Sequence, residues 1–156
     1  MSDEVEIGRG KRGRRAYTLD DIALVPSRRT RDPEDVNVGW QIDAYHVDIP
    51  LMAAPMDSVM SPETAIAFGR LGGIGVLDLD GLWTRYEDPT PILDHIAHLG
   101  EEESIATLQR VYSEPIKPSL ITARLKQLRE AGVVVAGKLS PQRVQKYWRA
   151  VVDAGV

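Results

Sequence analysis

The chain has 156 residues, about the length of one domain, and its 43% hydrophobic and 27% charged residues are typical of a water-soluble globular protein. Its net charge of −4 gives no global case for nucleic-acid binding, and it has no cysteine, which excludes disulfides, thiolate metal ligands and a cysteine nucleophile within these residues. No apolar run reaches the roughly 20 residues that cross a membrane, and no secretory signal is visible. These features favour a cytoplasmic protein.

The first predicted segment, residues 1–16, is polar and basic, and we interpret it as a flexible arm that precedes a folded domain at 17–156. The basic runs GRGKRGRR and SRRTR could contact phosphates, but such runs are usually solvated, so nucleic-acid binding is not predicted. Apolar residues between Leu19 and Val25 predict a short anchoring segment that ends at Pro26.

Two short strands are predicted next, within VNVGWQIDAYHVDIP, around a turn at Asp43–Ala44. The apolar run IPLMAAP then predicts a strand buried on both faces of a parallel sheet. Ser61-Pro62-Glu63 is a strong helix start, and Gly72-Gly73 ends that helix. The strand IGVLDL follows. A dinucleotide-binding fingerprint needs strand, glycines and helix in that order, so we interpret these glycines as a helix stop and not as a phosphate loop.

Residues 81–118 predict two short helices or an irregular excursion, since four prolines interrupt segments of helical spacing. A helix capped by Ser119 and ended by Gly132 comes next. The run VVVAGKL predicts a third buried strand, and Ser140-Pro141 starts a last helix. One stripe of that helix carries Val144, Trp148, Val151 and Gly155.

Three times the chain passes from a helix through a small residue and glycine into an apolar strand, in GRLGGIGVL, REAGVVVAG and VDAGV. This alternation indicates an α/β fold with a parallel sheet. We expect the N-terminal portion of a (β/α)8 TIM barrel, preceded by the basic arm and the short N-terminal strands, because three core strands cannot close a barrel. The third repeat stops at its first strand residue, before a fourth core strand. An open three-stranded sheet is the alternative. In isolation we expect the chain to aggregate or stay partly unfolded.

Two motifs resemble one enzyme family. YTLDDIALVPS resembles the opening of the IMP dehydrogenase/GMP reductase family, usually L-T-F-D-D-V-L-L-V-P. IPLMAAPMDSVMSPETAIAFGRLGGIGVL resembles its P-L-V-S-A-x-M-D-T-V-T followed by a helix and L-G-G-I-G-V-I-H. The resemblance covers 17–80 well and 119–156 more loosely. It is strongest to the shorter IMP dehydrogenase-related members without a CBS pair, because residues 81–118 are too few to hold one.

The resemblance implies an oxidoreductase of purine nucleotide (GMP) biosynthesis that, at full length, oxidises IMP to XMP with NAD (or NADP). A monovalent cation and a homotetramer are further family features. The family's catalytic cysteine would follow Val156, so we expect the 156-residue chain alone to be inactive, and its cofactor-binding residues are not identified. No metal site is predicted. The alternatives are a GMP reductase, which converts GMP to IMP with NADPH, and a noncatalytic nucleotide-binding or assembly protein of the same fold.

The candidate substrate-binding residues are Ala54 and Met56. They lie just past a predicted strand, where side chains can first face a ligand. In the family, the methionine of this motif packs near the purine and the serine helps hold the phosphate; Met56 matches the methionine, and Ala54 stands in the serine position. Asp57 is expected to brace its own loop, and Asp78, where the family often has histidine, to be a solvated strand end.

Overall fold

The computed structural model describes residues 4–23, 25 and 32–156, which fall into two units divided after Asn37. The basic run 27–31 lies outside the described residues, as do Leu24 and Pro26 of the predicted anchoring segment. Within that segment, a short 3-10 helix spans Leu19–Asp21.

The N-terminal unit contains a hairpin in which β1 (Glu4–Glu6) pairs antiparallel with β2 (Arg12–Arg14). Gly8 and Gly10 reverse the chain with φ angles of +146° and +70°, which glycine adopts without steric penalty. The sequence predicted an arm here and did not predict these two strands. The flexibility of the arm stays a prediction.

The second unit contains two sheets and five helices among its described residues. Their bounds are β3 Trp40–Ile42, β4 Tyr45–Val47, β5 Met52–Ala53, α1 Pro62–Arg70, β6 Ile74–Asp78, α2 Thr90–Ala97, α3 Glu101–Val111, α4 Pro118–Glu130, β7 Ala136–Lys138 and α5 Pro141–Val152. Strands β3 and β4 form an antiparallel hairpin around Asp43, as predicted. Strands β5, β6 and β7 form a parallel sheet in that order, which confirms the α/β fold.

The outer strands of this sheet are shorter and more exposed than predicted. The run IPLMAAP contributes only β5, and Met52 within it is 60% exposed. The predicted third strand contributes only the partly exposed β7. Both predictions of a buried strand were therefore wrong, because β5 and β7 are edge strands, and among the described residues no other strand covers them. The central strand β6 is buried as predicted, with Leu77 only 1% exposed.

The predicted helix ends are largely confirmed. The Ser61 hydroxyl accepts a hydrogen bond from the Thr64 backbone N–H at 3.0 Å, and Gly72 adopts a φ of +93° just after α1. Gly132 and Gly155 adopt the same left-handed region, at +74° and +81°, which glycine favours at helix ends. Ser119 is not the cap of α4, because the helix already starts at Pro118, the residue type preferred at the first helical position.

The core lies where helices α1, α4 and α5 pack with β6. Its largest members are Met60, Leu77, Leu79, Ile121, Leu125, Leu128 and Tyr147. On α5 the buried positions are Tyr147 and Ala150, and Ala154 just after the helix is also buried, whereas Val144 and Trp148 of the predicted stripe are 43% and 47% exposed. The stripe is therefore only partly buried, since Val151, its third member, packs against the core.

The excursion between β6 and α4 forms two helices, α2 and α3, which was one of the two predicted possibilities. A 3-10 turn at Leu82–Thr84 leads into it. Helix α2 has no buried residue, and Val111 is the one buried residue of α3. Across the described part of the chain, every helix is too short or too polar to cross a lipid bilayer.

Candidate functional site

A cavity of about 670 Å³ lies beyond the carboxyl ends of β5 and β6. One wall is the turn 55–58 that follows β5, and a second is the end of β6 with the turn after it, at Asp78 and Leu82. Helices α2 and α3 and the residue after them form the third wall, through Leu93, Asp94, Ile96, Ala97, Leu108 and Tyr112. The carboxyl ends of parallel strands are the usual ligand position in α/β proteins.

The two predicted substrate-binding residues are placed differently. Met56 lines the cavity and is 53% exposed. Ala54 is exposed next to the end of β5, but it is not among the residues that form the wall. The turn that carries Met56 is held by backbone hydrogen bonds, from Met56 N to Ala54 O at 3.0 Å and from Met60 N to Met56 O at 2.7 Å. Ligand contact at either residue stays a prediction.

Asp57 joins three segments that are distant in sequence. Its Oδ2 accepts hydrogen bonds from the Leu82 backbone N–H at 2.7 Å and from the Tyr112 hydroxyl at 2.5 Å. Its Oδ1 is buried and has no hydrogen-bond partner among the residues that the structure describes. It packs against Gly81, where a Cβ atom would collide with it. The sequence predicted that Asp57 braces its own loop; it braces residues 25 and 55 positions away instead.

The surroundings of Asp57 change the acidity of both hydrogen-bonded side chains. Burial raises the pKa of the Asp57 carboxyl, although the hydrogen bonds from Tyr112 and Leu82 oppose this effect. Burial and the neighbouring carboxylate also raise the pKa of the Tyr112 phenol. Tyr112 therefore keeps its proton at neutral pH and remains the donor.

We expect Asp57→Asn to change how the melting temperature depends on pH. The pKa of Asp57 is higher in the folded state than in the unfolded state. Ionisation of Asp57 at rising pH therefore destabilises the fold, and this loss of stability is complete once the pH exceeds the folded-state pKa. Asparagine cannot ionise. The melting temperature of the variant minus that of the parent should therefore increase from pH 4 to pH 8 in a thermal scan. A difference that stays constant or shrinks over this range would contradict the assignment.

Asp78 is part of the cavity wall and not the solvated strand end that the sequence predicted. Its side chain is 19% exposed, and it lies 3.4 Å from the Lys138 ammonium. Its Oδ1 also accepts the Asp80 backbone N–H at 2.9 Å. Asp80 in turn accepts the Ser140 backbone N–H at 2.9 Å. These contacts join the carboxyl ends of β6 and β7, which explains why Asp78 is withdrawn from solvent.

Sequence reasoning missed Tyr112 and Arg85. Arg85 is 5% exposed; its Nε and one terminal nitrogen donate to the Asp80 carbonyl at 3.2 and 2.9 Å, and its other terminal nitrogen donates to the Glu114 carbonyl. Its guanidinium carbon lies 5.5 Å from the Tyr112 ring centroid. Both residues fall in the Pro-interrupted excursion, where no motif or regular spacing marks them.

The chemistry of the wall favours a flat, mainly apolar group. It combines the thioether of Met56 with aliphatic and aromatic side chains, and its charged members, Asp57, Asp78 and Asp94, are all acidic. Carboxylates accept hydrogen bonds from N–H groups. Among the described residues, no lysine or arginine belongs to this wall, so it suits a nitrogen-containing ring better than a phosphate.

Comparison with known proteins identifies the family. The sequence model of the IMP dehydrogenase/GMP reductase domain matches residues 16–154. An uncharacterized oxidoreductase of Mycolicibacterium smegmatis is 43% identical over 157 residues, covering 97% of this chain and 42% of that protein. An inosine-5'-monophosphate dehydrogenase of Methanocaldococcus jannaschii is 42% identical over 64 residues, covering 41% of this chain and 13% of that protein.

A solved structure agrees with the sequence matches. The crystal structure of an IMP dehydrogenase/GMP reductase-like protein from Corynebacterium glutamicum superposes with a TM-score of 0.82 and 41% identity, covering 99% of this chain and 43% of that one. The chain thus spans about two fifths of the length of the Mycolicibacterium smegmatis and Corynebacterium glutamicum proteins. Its sequence match extends over nearly all of its residues, and this chain therefore belongs to the IMP dehydrogenase/GMP reductase family.

Proposed function

We propose that this chain is the N-terminal portion of a (β/α)8-barrel oxidoreductase that oxidises IMP to XMP with NAD. The observation that carries the proposal is the cavity beyond β5 and β6, with Met56 in its wall and an otherwise apolar and acidic lining. Family membership supports the reaction class. We further propose that the enzyme acts as a homotetramer in cytoplasmic GMP biosynthesis and that a monovalent cation assists it.

In this proposal the described residues bind and orient the purine. The Met56 thioether is polarizable and packs well against a flat aromatic ring. The aliphatic residues of α2 and α3 exclude water from the base, and Asp78 accepts a hydrogen bond from a ring N–H. Ala54 lacks the hydroxyl that the family's serine offers to the phosphate, so the phosphate must be held by other residues.

The redox step requires groups that this chain does not provide. NAD, when bound, accepts a hydride from the substrate, but the cavity wall, as far as the chain is described, offers no cationic side chain that could pair with its pyrophosphate. We therefore assign no residue of this chain to the dinucleotide. The chain has no cysteine, so the nucleophilic thiol is proposed to come from a later part of the longer protein.

The assay that tests the proposal uses the full-length protein with IMP and NAD, monitored by NADH absorbance. Turnover with a matching yield of XMP is expected. Turnover of GMP with NADPH, and none of IMP with NAD, would replace the proposed reaction by GMP reductase chemistry. The short α2–α3 excursion, with too few residues for a CBS pair, favours that second candidate.

A noncatalytic nucleotide-binding or assembly protein is the third candidate, and the alanine at position 54 favours it. Purine nucleotides that bind the folded state should raise its melting temperature. A full-length protein whose melting temperature responds to no purine nucleotide and that shows no turnover would support an assembly role and contradict the proposed enzyme.

We expect Met56→Ala to weaken IMP binding by the full-length protein about 5- to 10-fold, since a lost sulfur–aromatic contact and its buried area are worth about 1 kcal/mol. Met52→Ala is the matched control, because Met52 is similarly exposed, at 60%, and does not line the cavity. Isothermal titration with IMP measures both. Equal affinities of the two variants for IMP would show that the purine base does not bind against Met56.

A further inference from the structure

Hydrogen bonds connect the last residues of the excursion to the segments that follow β5 and β6. The Tyr112 hydroxyl donates to Asp57 Oδ2 at 2.5 Å. Around it, the Tyr86 hydroxyl donates to the Val111 carbonyl at 3.1 Å, and the Lys117 backbone N–H donates to the Thr84 carbonyl at 2.9 Å. Among the described residues of the excursion that make these three contacts, Tyr112 alone also lines the cavity.

Helices α2 and α3 of the excursion have little core of their own. Helix α2 buries no residue, and Leu108 of α3 is 37% exposed. The apolar side chains Leu93, Ile96 and Leu108 instead form the cavity wall. Packing of α2 into the core therefore does not fix this wall, and its position relative to the turn at 55–58 depends on the contacts at both ends of the excursion, of which those at the carboxyl end include Tyr112.

We propose that Tyr112 is a positioning residue for the purine site. Its hydroxyl holds the Asp57 carboxylate and so fixes the spacing between the Met56 turn and the α2–α3 wall. The ring of Tyr112 is itself held, since it lies beside the buried Arg85 guanidinium. This inference rests on the proposed function, because it names purine nucleotide as the ligand whose binding depends on that spacing.

The test compares Tyr112→Phe with Tyr86→Phe in the full-length protein, titrated with IMP and GMP by calorimetry. Each variant removes one hydroxyl that fastens the end of the excursion, but Tyr86 does not line the cavity. We expect Tyr112→Phe to raise the Kd about tenfold, as loss of a hydrogen bond to a charged group does. Tyr86→Phe should change it less than about twofold. Equal effects of the two variants would overturn the proposal.

A second measurement separates action through Asp57 from a general structural effect. If Tyr112 acts through the Asp57 carboxylate, Tyr112→Phe should have almost no further effect on the Kd in an Asp57→Ala background. Additive effects would overturn the proposal. A parent protein that binds neither nucleotide would overturn the proposed function and this inference together. A parent that binds while Tyr112→Phe binds equally well would overturn the inference alone.

Discussion

Gly75→Ala should destabilise the fold by about 3 kcal/mol, at the upper end of the usual range for overpacking. A Cβ atom at position 75 would lie 2.6 Å from Ala65 Cα, 2.8 Å from Ala65 Cβ and 3.0 Å from the Ala65 carbonyl oxygen. Ala65 is 1% exposed in helix α1. Backbone atoms cannot rotate away from the new methyl group, so β6 and α1 would have to separate.

Thermal unfolding of the full-length protein measures this effect. A loss of about 3 kcal/mol corresponds to a fall of roughly 2–5 °C in melting temperature, because relatives are more than twice as long as this chain and the shift per kcal/mol falls with chain length. Gly100→Ala is the matched control, because a Cβ there meets nothing within 4 Å and the φ angle is −68°. Its effect should stay within about 1 kcal/mol, the usual cost of placing alanine at a helix N-cap such as Gly100. A Gly75→Ala variant that melts with the parent would show that β6 and α1 do not pack this closely.

Arg85→Met should lower both stability and nucleotide affinity. The side chain is 5% exposed and donates to the carbonyls of Asp80 and Glu114. Removing it leaves two carbonyls without these donors, at about 1–3 kcal/mol each. It also removes the group beside the Tyr112 ring, so the wall carrying Tyr112 would shift relative to Asp57.

Arg124→Met separates the two effects of Arg85→Met. Arg124 also donates to backbone carbonyls, those of Trp83, Tyr86 and Glu87, but it is not among the described residues that line the cavity. Both variants should therefore lower the melting temperature, and only Arg85→Met should also weaken IMP binding, by about tenfold or more. If Arg124→Met weakened binding as much, the loss of affinity would follow from general destabilisation.

Local signals in the sequence predicted the repeated units well. The Ser-Pro pair at 61–62 and the glycines at 72 and 132 act through backbone conformation within one helical turn, so their effects are visible in a short stretch. The central strand β6 was also correctly predicted, because it has neighbours on both sides. The exposure of β5 and β7 was not predictable from their apolar composition, since it depends on which strands pair with them.

The sequence identified only part of the candidate site. Met56 follows a strand and belongs to a motif, so both position and resemblance identified it. Tyr112 and Arg85 gave no such signal. Their partners Asp57 and Glu114 lie 55 and 29 residues away. A contact with such a distant segment produces no periodic pattern in the sequence around the residue. Asp57 was recognised as a brace, but its partners were not.

The proposed function depends on a purine base occupying the cavity beyond β5 and β6. A crystal structure of the full-length protein with IMP tests this directly. We expect the hypoxanthine ring within about 4 Å of the Met56 thioether, the distance of an apolar contact, with the α2–α3 wall on its other side. A nucleotide bound away from Met56 and Asp57, with this cavity filled by solvent, would contradict the account.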